Sequence, residues 1–142
     1  MTEQPTPYEI IGGEKGVREL VNRFYDYMDE LEEAKEIRSL HARSLRVSRD
    51  KLFLFLSGWL GGPALYVQKY GHPRLRARHL PFSIGIRERD QWMHCMRKAL
   101  GDMGLEKTFR DRLEQSFLST ADFMRNRAEY DDAPGLVIGP GK

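Results

Sequence analysis

The chain has 142 residues, 40% hydrophobic and 31% charged, with a formal net charge of +2. That length predicts one domain with its own core, and so small a charge, interleaved with acids on helical faces, excludes a nucleic-acid partner. The single cysteine, Cys95, excludes an internal disulfide and a multi-cysteine zinc site, and fits a reducing cytoplasm.

In chain order, residues 1 to 13 predict a tail closed by the turn Gly12-Gly13, without the basic start and apolar stretch of a secretion signal. From 14 to 34, Val17, Leu20, Val21, Phe24, Tyr25, Met28 and Leu31 recur at three- and four-residue steps, which predicts a helix with one buried stripe. Residues 35 to 47 read as a short helix or turn. Ser48 is the expected N-cap of a second helix that runs to Leu60 and is apolar almost all round, as a helix buried on several sides should be. Its apolar run, Leu52 to Leu60, falls far short of the ~20 residues that span a membrane. Gly61-Gly62-Pro63 stops it.

A short helical piece is expected in "ALYVQKY". Pro73, Pro81 and Gly85 then exclude any long helix between 71 and 85. Helical spacing returns from 87 to 101, with Trp92, Cys95, Met96, Ala99 and Leu100 on one face. It returns again from 106 to 128, where Phe109, Leu113, Phe117, Ala121 and Met124 recur. The segment from about 129 to 142 is rich in glycine and proline and reads as a flexible C-terminal tail. The fold class is therefore all-α, with four substantial helices and an irregular middle. A loop-rich stretch of that length inside a compact domain marks a functional element or a wrong assignment. Its apolar residues, among them Tyr66, Leu75, Leu80 and Phe82, need a surface to pack on, and a flat apolar cofactor supplies one.

Four histidines are candidates for chemistry. His94 beside Cys95 has the wrong spacing for a shared metal, and no covalent haem-attachment motif is present. His72, between Gly71 and Pro73, reads as a turn residue. His41 lies in the ambiguous region. His79 stands apart, because it follows Arg74, Arg76 and Arg78 and precedes Leu80-Pro81-Phe82, at the junction of a cationic strip and an apolar one. A haem has that polarity, an apolar macrocycle with two carboxylates at one edge. The alternative is a satisfied histidine on a basic loop.

The chain resembles the truncated haemoglobins, and among them group II, over residues 8 to 126. The resemblance rests on Gly12-Gly13, "RFYDYM", "SRDKLFLFLSGWLGGP", "YGHPRLRARHLPFSIG" and "RERDQWMHCM". It implies a shortened globin fold in one domain over residues 1–142, two helices packed over two around a haem, with an extended loop before the proximal histidine. It implies non-covalent haem b with His79, not His72, on a five-coordinate iron. Tyr25, His41 and Trp92 match the ligand-stabilising distal positions, although "HARSL" after position 40 departs from the proline and acidic residue common in the family. Leu52, Phe55 and Leu56 match distal lining, and Phe82 and Met96 are expected against the haem. Lys51 and Arg78 are candidates for the carboxylates, Ser48 for a gate and Arg49 for a side chain that swings over the mouth.

Donors aimed at a bound ligand slow its release. The expected function is therefore binding of O₂, CO or NO with slow release, suited to sensing, storage or redox chemistry, in a cytoplasmic monomer or weak homodimer. Two other classes stay open: a peroxidase-like or nitric-oxide dioxygenase-like enzyme served by an external reductase, and a cofactor-free helical interaction module.

Overall fold

The computed structural model describes residues 4–127. Eight α-helices and one short 3₁₀ turn follow one another, with no strand among the described residues. The first helix, α1 (Pro7–Ile11), lies where a tail was expected. Thr6 Oγ1 accepts from Glu9 N–H at 3.1 Å and Glu9 Oε1 accepts from Thr6 N–H at 2.9 Å. This reciprocal cap, with Pro7 leading, stabilises a helix too short to show a hydrophobic period. Gly12 then reverses the chain at φ 111°, which suits glycine.

Helix α2 (Gly13–Glu30) buries Val17, Leu20, Val21, Phe24, Tyr25 and Met28 on one stripe. It ends earlier than the expected residue 34. Leu31 is extended, and Glu32–Ala34 continue as the 3₁₀ turn. Asp29, Glu30, Glu32 and Glu33 gather there without a basic residue in the last turn, which disfavours extension at the negative end of a helix. Helix α3 (Lys35–Ser39) is short, and α4 (Arg46–Trp59) begins before Ser48. Ser44 Oγ accepts from Arg46 N–H at 3.2 Å, so Ser48 is not the cap and sits within the first turns.

After α5 (Leu65–Tyr70) comes α6 (Leu75–His79), a five-residue helix inside the segment read as irregular. Helices α7 (Ile86–Gly101) and α8 (Lys107–Phe123) complete the set. Helix α8 stops short of the expected 128, because Asn126 N–H turns to donate to Ile84 O at 2.9 Å. The expected C-terminal tail lies outside the described residues.

Helix α2 packs on α4 and α7, and α7 packs on α8, giving two pairs joined through α2 and α7. Leu20, Phe24, Met28, Leu56, Met93, Met96 and Leu100 are fully enclosed between them. Burying each contributes about 1.5–3 kcal/mol before entropy is counted. Helix α1 straps the far end of α4. Tyr8 N–H donates to Leu60 O at 2.9 Å, and a Cβ on Gly62 would lie 2.4 Å from the Tyr8 ring. Ser57, fully buried, donates to Pro63 O at 2.6 Å and locks the same corner.

Candidate haem-binding cavity

A cavity of 660 Å³ opens between α2, α4, α6, α7 and α8, within the size range of cofactor sites. Its walls are largely apolar, with Leu52, Phe55, Leu56, Trp59, Phe82, Ile84, Phe117 and Met124 among the lining residues. Two imidazoles, His41 and His79, line it as well.

His79 ends α6, and its Nδ1 lies 2.6 Å from Leu75 O, one turn back. A carbonyl oxygen only accepts, so Nδ1 carries the proton and Nε2 keeps a lone pair. That is the tautomer a metal requires, with ring orientation set by the backbone. His72 is not in the cavity wall. Its Nδ1 accepts from Arg74 N–H at 3.1 Å and braces the turn in which Arg74 adopts φ 47°.

Tyr25 lines the cavity from α2, with its ring edge-on to Phe24 at 4.8 Å between centroids. Burial pushes its phenol well above the ordinary value, so the hydroxyl stays protonated and able to donate. Trp92 lines the cavity from α7, tilted against Phe24 at 4.9 Å and Phe117 at 5.8 Å. Neither the Tyr25 hydroxyl nor the Trp92 indole N–H bonds to another described residue. His41 follows α3 with Nδ1 2.9 Å from Ile37 O and its ring edge-on to Tyr25 at 5.8 Å. Burial first, then the positive charge of Arg38, holds its pKa below the ordinary value, and the imidazole is neutral at pH 7.

Lys51 and Arg78 line the cavity too. Neither forms an ion pair among the described residues. Lys51 Nζ lies 5.5 Å from the Tyr70 ring, and Arg78 Cζ lies 6.0 Å from the Tyr66 ring. Two cations without an ion pair among the described residues, apolar walls, and two imidazoles whose Nδ1 each faces a backbone carbonyl form a donor set that fits a haem carrying two carboxylates.

Two expectations need correction. Met96 is fully buried among core residues and does not line the cavity, although it lies one helical turn after Trp92. Arg49 is pinned to α2 rather than free to swing. Its guanidinium donates to Asn22 O at 3.1 Å, Asn22 Oδ1 at 3.2 Å and Asp26 Oδ1 at 2.9 Å. Ser48 does line the cavity. Sequence reasoning missed Trp59, which stacks on Phe117 at 4.6 Å, and the α8 wall of Phe117, Ala121 and Met124. Their helical stripe was visible, but a stripe facing a cavity looks the same as one facing a core.

Comparison with known proteins agrees with this geometry. The profile of the family described as "Bacterial-like globin" matches residues 6–126. A group 2 truncated hemoglobin of Bacillus subtilis is 38% identical over 126 residues, covering 89% of this chain and 92% of that protein. Among solved structures, a cold-adapted truncated hemoglobin from the Antarctic marine bacterium Pseudoalteromonas haloplanktis superposes with a TM-score of 0.85 at 49% identity, covering 87% of this chain and all 100% of its own. A group II 2-on-2 hemoglobin from Agrobacterium tumefaciens superposes with a TM-score of 0.86 at 41% identity, covering 89% of this chain and 98% of its own. With the helical pairing, the cavity and the family match in agreement, the chain belongs to the bacterial-like globins and, within them, to the group II truncated haemoglobins.

Proposed function

We propose that the protein binds haem b non-covalently, that His79 Nε2 would hold its iron, and that O₂, CO or NO bound there would lie beside Tyr25, Trp92 and His41. Family membership implies the haem cofactor and diatomic gas binding in general. The observation that carries the finer reading is the locked His79 tautomer facing a cavity whose rim holds the unpaired Lys51 and Arg78.

Haem supplies an iron that coordinates a diatomic ligand, and the chain governs what happens around it. His79 offers its lone pair while Leu75 O holds the Nδ1 proton. Lys51 and Arg78 take the two carboxylates. Leu52, Phe55 and Phe82, which line the cavity, would keep water from the bound group, while Met96 belongs to the core cluster. The Tyr25 hydroxyl and Trp92 indole N–H donate to the negative charge that builds on a ligand lodged beside them, which slows its escape. Slow release suits storage, sensing or redox chemistry. The protein would act as a cytoplasmic monomer or weak homodimer, with His79 as the side chain that would hold the iron when no gas is bound.

A second reading, peroxidase-like or nitric-oxide dioxygenase-like turnover fed by an external reductase, is favoured by His41. Facing the cavity, with burial holding its pKa below the ordinary value, its imidazole would serve as a proton acceptor there. Absorption spectra of the ferric, ferrous and ferrous-CO forms test the main reading. A Soret band lost in His79→Ala and kept in His72→Ala is the expected result. The reverse pattern, or no band in the wild-type protein after haem is added, overturns it. Turnover with peroxide, or with nitric oxide and a reductase, alongside slow O₂ release, moves the assignment to the enzyme.

A further inference from the structure

Helix α6 is the least supported element of the fold, although it ends in the candidate axial histidine. It has five residues and buries none of them. Apolar packing of the chain on itself therefore does not fix its position.

Polar bonds from one short stretch do. Asn126, just past the end of α8, donates through Nδ2 to His79 O at 3.2 Å and to Phe82 O at 2.9 Å. Its Oδ1 accepts from Ile84 N–H at 2.9 Å, and its own N–H donates to Ile84 O at 2.9 Å. Arg76, on α6, donates from Nη1 to Phe123 O and Arg125 O, both at 2.8 Å. A guanidinium there also meets the negative end of the α8 dipole.

The end of α8 is tied down in turn. Asp122 Oδ1 accepts from Arg89 Nη1 of α7 and from Arg125 Nε, each at 2.7 Å. Arg127 Nη2 donates to the buried Glu88 Oε1 at 2.8 Å, and the same oxygen accepts from Gly85 N–H at 2.9 Å. The rigid α7–α8 pair thus reaches α6 through Asn126 and Arg76.

We infer that Asn126, seconded by Arg76, is the positioning residue of the axial histidine: it fixes the main chain at His79 while Leu75 O fixes the ring. The two constraints act on one rigid unit, because Leu75 and His79 belong to the same short helix. Loss of the Nδ2 bonds frees that unit to tilt, and the histidine's bond to a metal changes with it. The inference rests on His79 as the haem ligand.

The test uses the haem-loaded protein and two readouts besides activity: the iron–histidine stretching band of the ferrous form by resonance Raman, and the rate of haem transfer to apomyoglobin. Asn126→Asp keeps the acceptor for Ile84 N–H and removes both donors. It should shift or broaden the band and speed haem loss about tenfold or more, the scale expected when an outer partner of a metal ligand is removed. Arg76→Gln should act in the same direction and less strongly, and it carries the test if the Asn126 variants do not fold.

Glu106→Ala is the control. Glu106 Oε1 caps the opposite end of the same helix, accepting from Phe109 N–H at 3.0 Å, so its loss should lower the unfolding temperature without moving the band. An unchanged band and transfer rate in Asn126→Asp, or in Arg76→Gln where only that variant folds, overturns the inference. So does an equal shift in Glu106→Ala. Wild-type protein that takes up no haem defeats the proposed function instead.

Discussion

The two sides of the cavity are built by different means. The residues proposed as ligand donors stand on long helices: Tyr25 in α2 is surrounded by fully buried neighbours, and Trp92 in α7 leans on Phe24 and Phe117. His79, the proposed haem ligand, stands on a helix with no buried residue, held by hydrogen bonds from the residues just past α8. Packing resists displacement through many small contacts that yield together, whereas a hydrogen-bonded latch yields when one group is removed. The distal side should therefore fail as part of global unfolding. The proximal side should fail locally, with the rest of the fold intact.

The largest effect that sharpens this contrast comes from the shared core. Phe24→Ala empties the space between Tyr25 and Trp92 and should cost about 3–5 kcal/mol of stability, read in urea unfolding. If it instead leaves stability near wild type while displacing only the distal donors, the distal side is less integral than the packing implies. Next comes Tyr25→Phe, which keeps the packing and removes the hydroxyl. A hydrogen bond to a charged group contributes roughly 1.5–3 kcal/mol, so O₂ release measured by stopped flow should speed up roughly ten- to hundredfold. Little change in unfolding should accompany it.

A smaller effect concerns pH. The folded-state pKa of His41 lies below the ordinary 6.5, because burial disfavours its charged form. Below about pH 6.5 the unfolded chain binds this proton before the folded protein does, so stability falls as the pH drops through that range. His41→Phe should flatten that part of the apoprotein's stability profile. A profile that keeps its acid limb in the variant assigns the limb elsewhere. The smallest effect is chemical. Burial pushes the Cys95 thiol up to about 11, and iodoacetamide should label the native protein far more slowly than the urea-unfolded chain.

Much of this organisation was legible in the residues, and the reasons differ from place to place. The stripes of α2 and α8 recur over several turns, and periodicity of that length is hard to mistake. His79 stood out because a cationic strip meets an apolar one there and the flanking motifs resemble a known family, and the fold places it in the cavity wall. Helices α1 and α6 were not legible, since five residues hold less than two turns and their stability comes from partners elsewhere. Met96 misled because one turn from Trp92 is the same helical face, yet a helix face is longer than the cavity it borders. Arg49 misled for another reason. A long cation at a pocket's edge looks mobile in sequence, and only the fold brings Asn22 and Asp26 to hold it. Asn126 gave no signal at all, because an asparagine after a helix is ordinary until its amide is seen on His79 O.

The strap formed by α1 bears on how the protein should be trimmed. Tyr8 closes over Gly62 and bonds Leu60 O, so residues ahead of the first long helix finish the end of α4, which walls the cavity. A version cut back to Gly13 would retain every side chain that lines the cavity while leaving the Leu60 carbonyl and the space above Gly62 uncovered. Measurements of ligand release on such a shortened protein would describe a softer pocket than the native one, even with all its lining residues present.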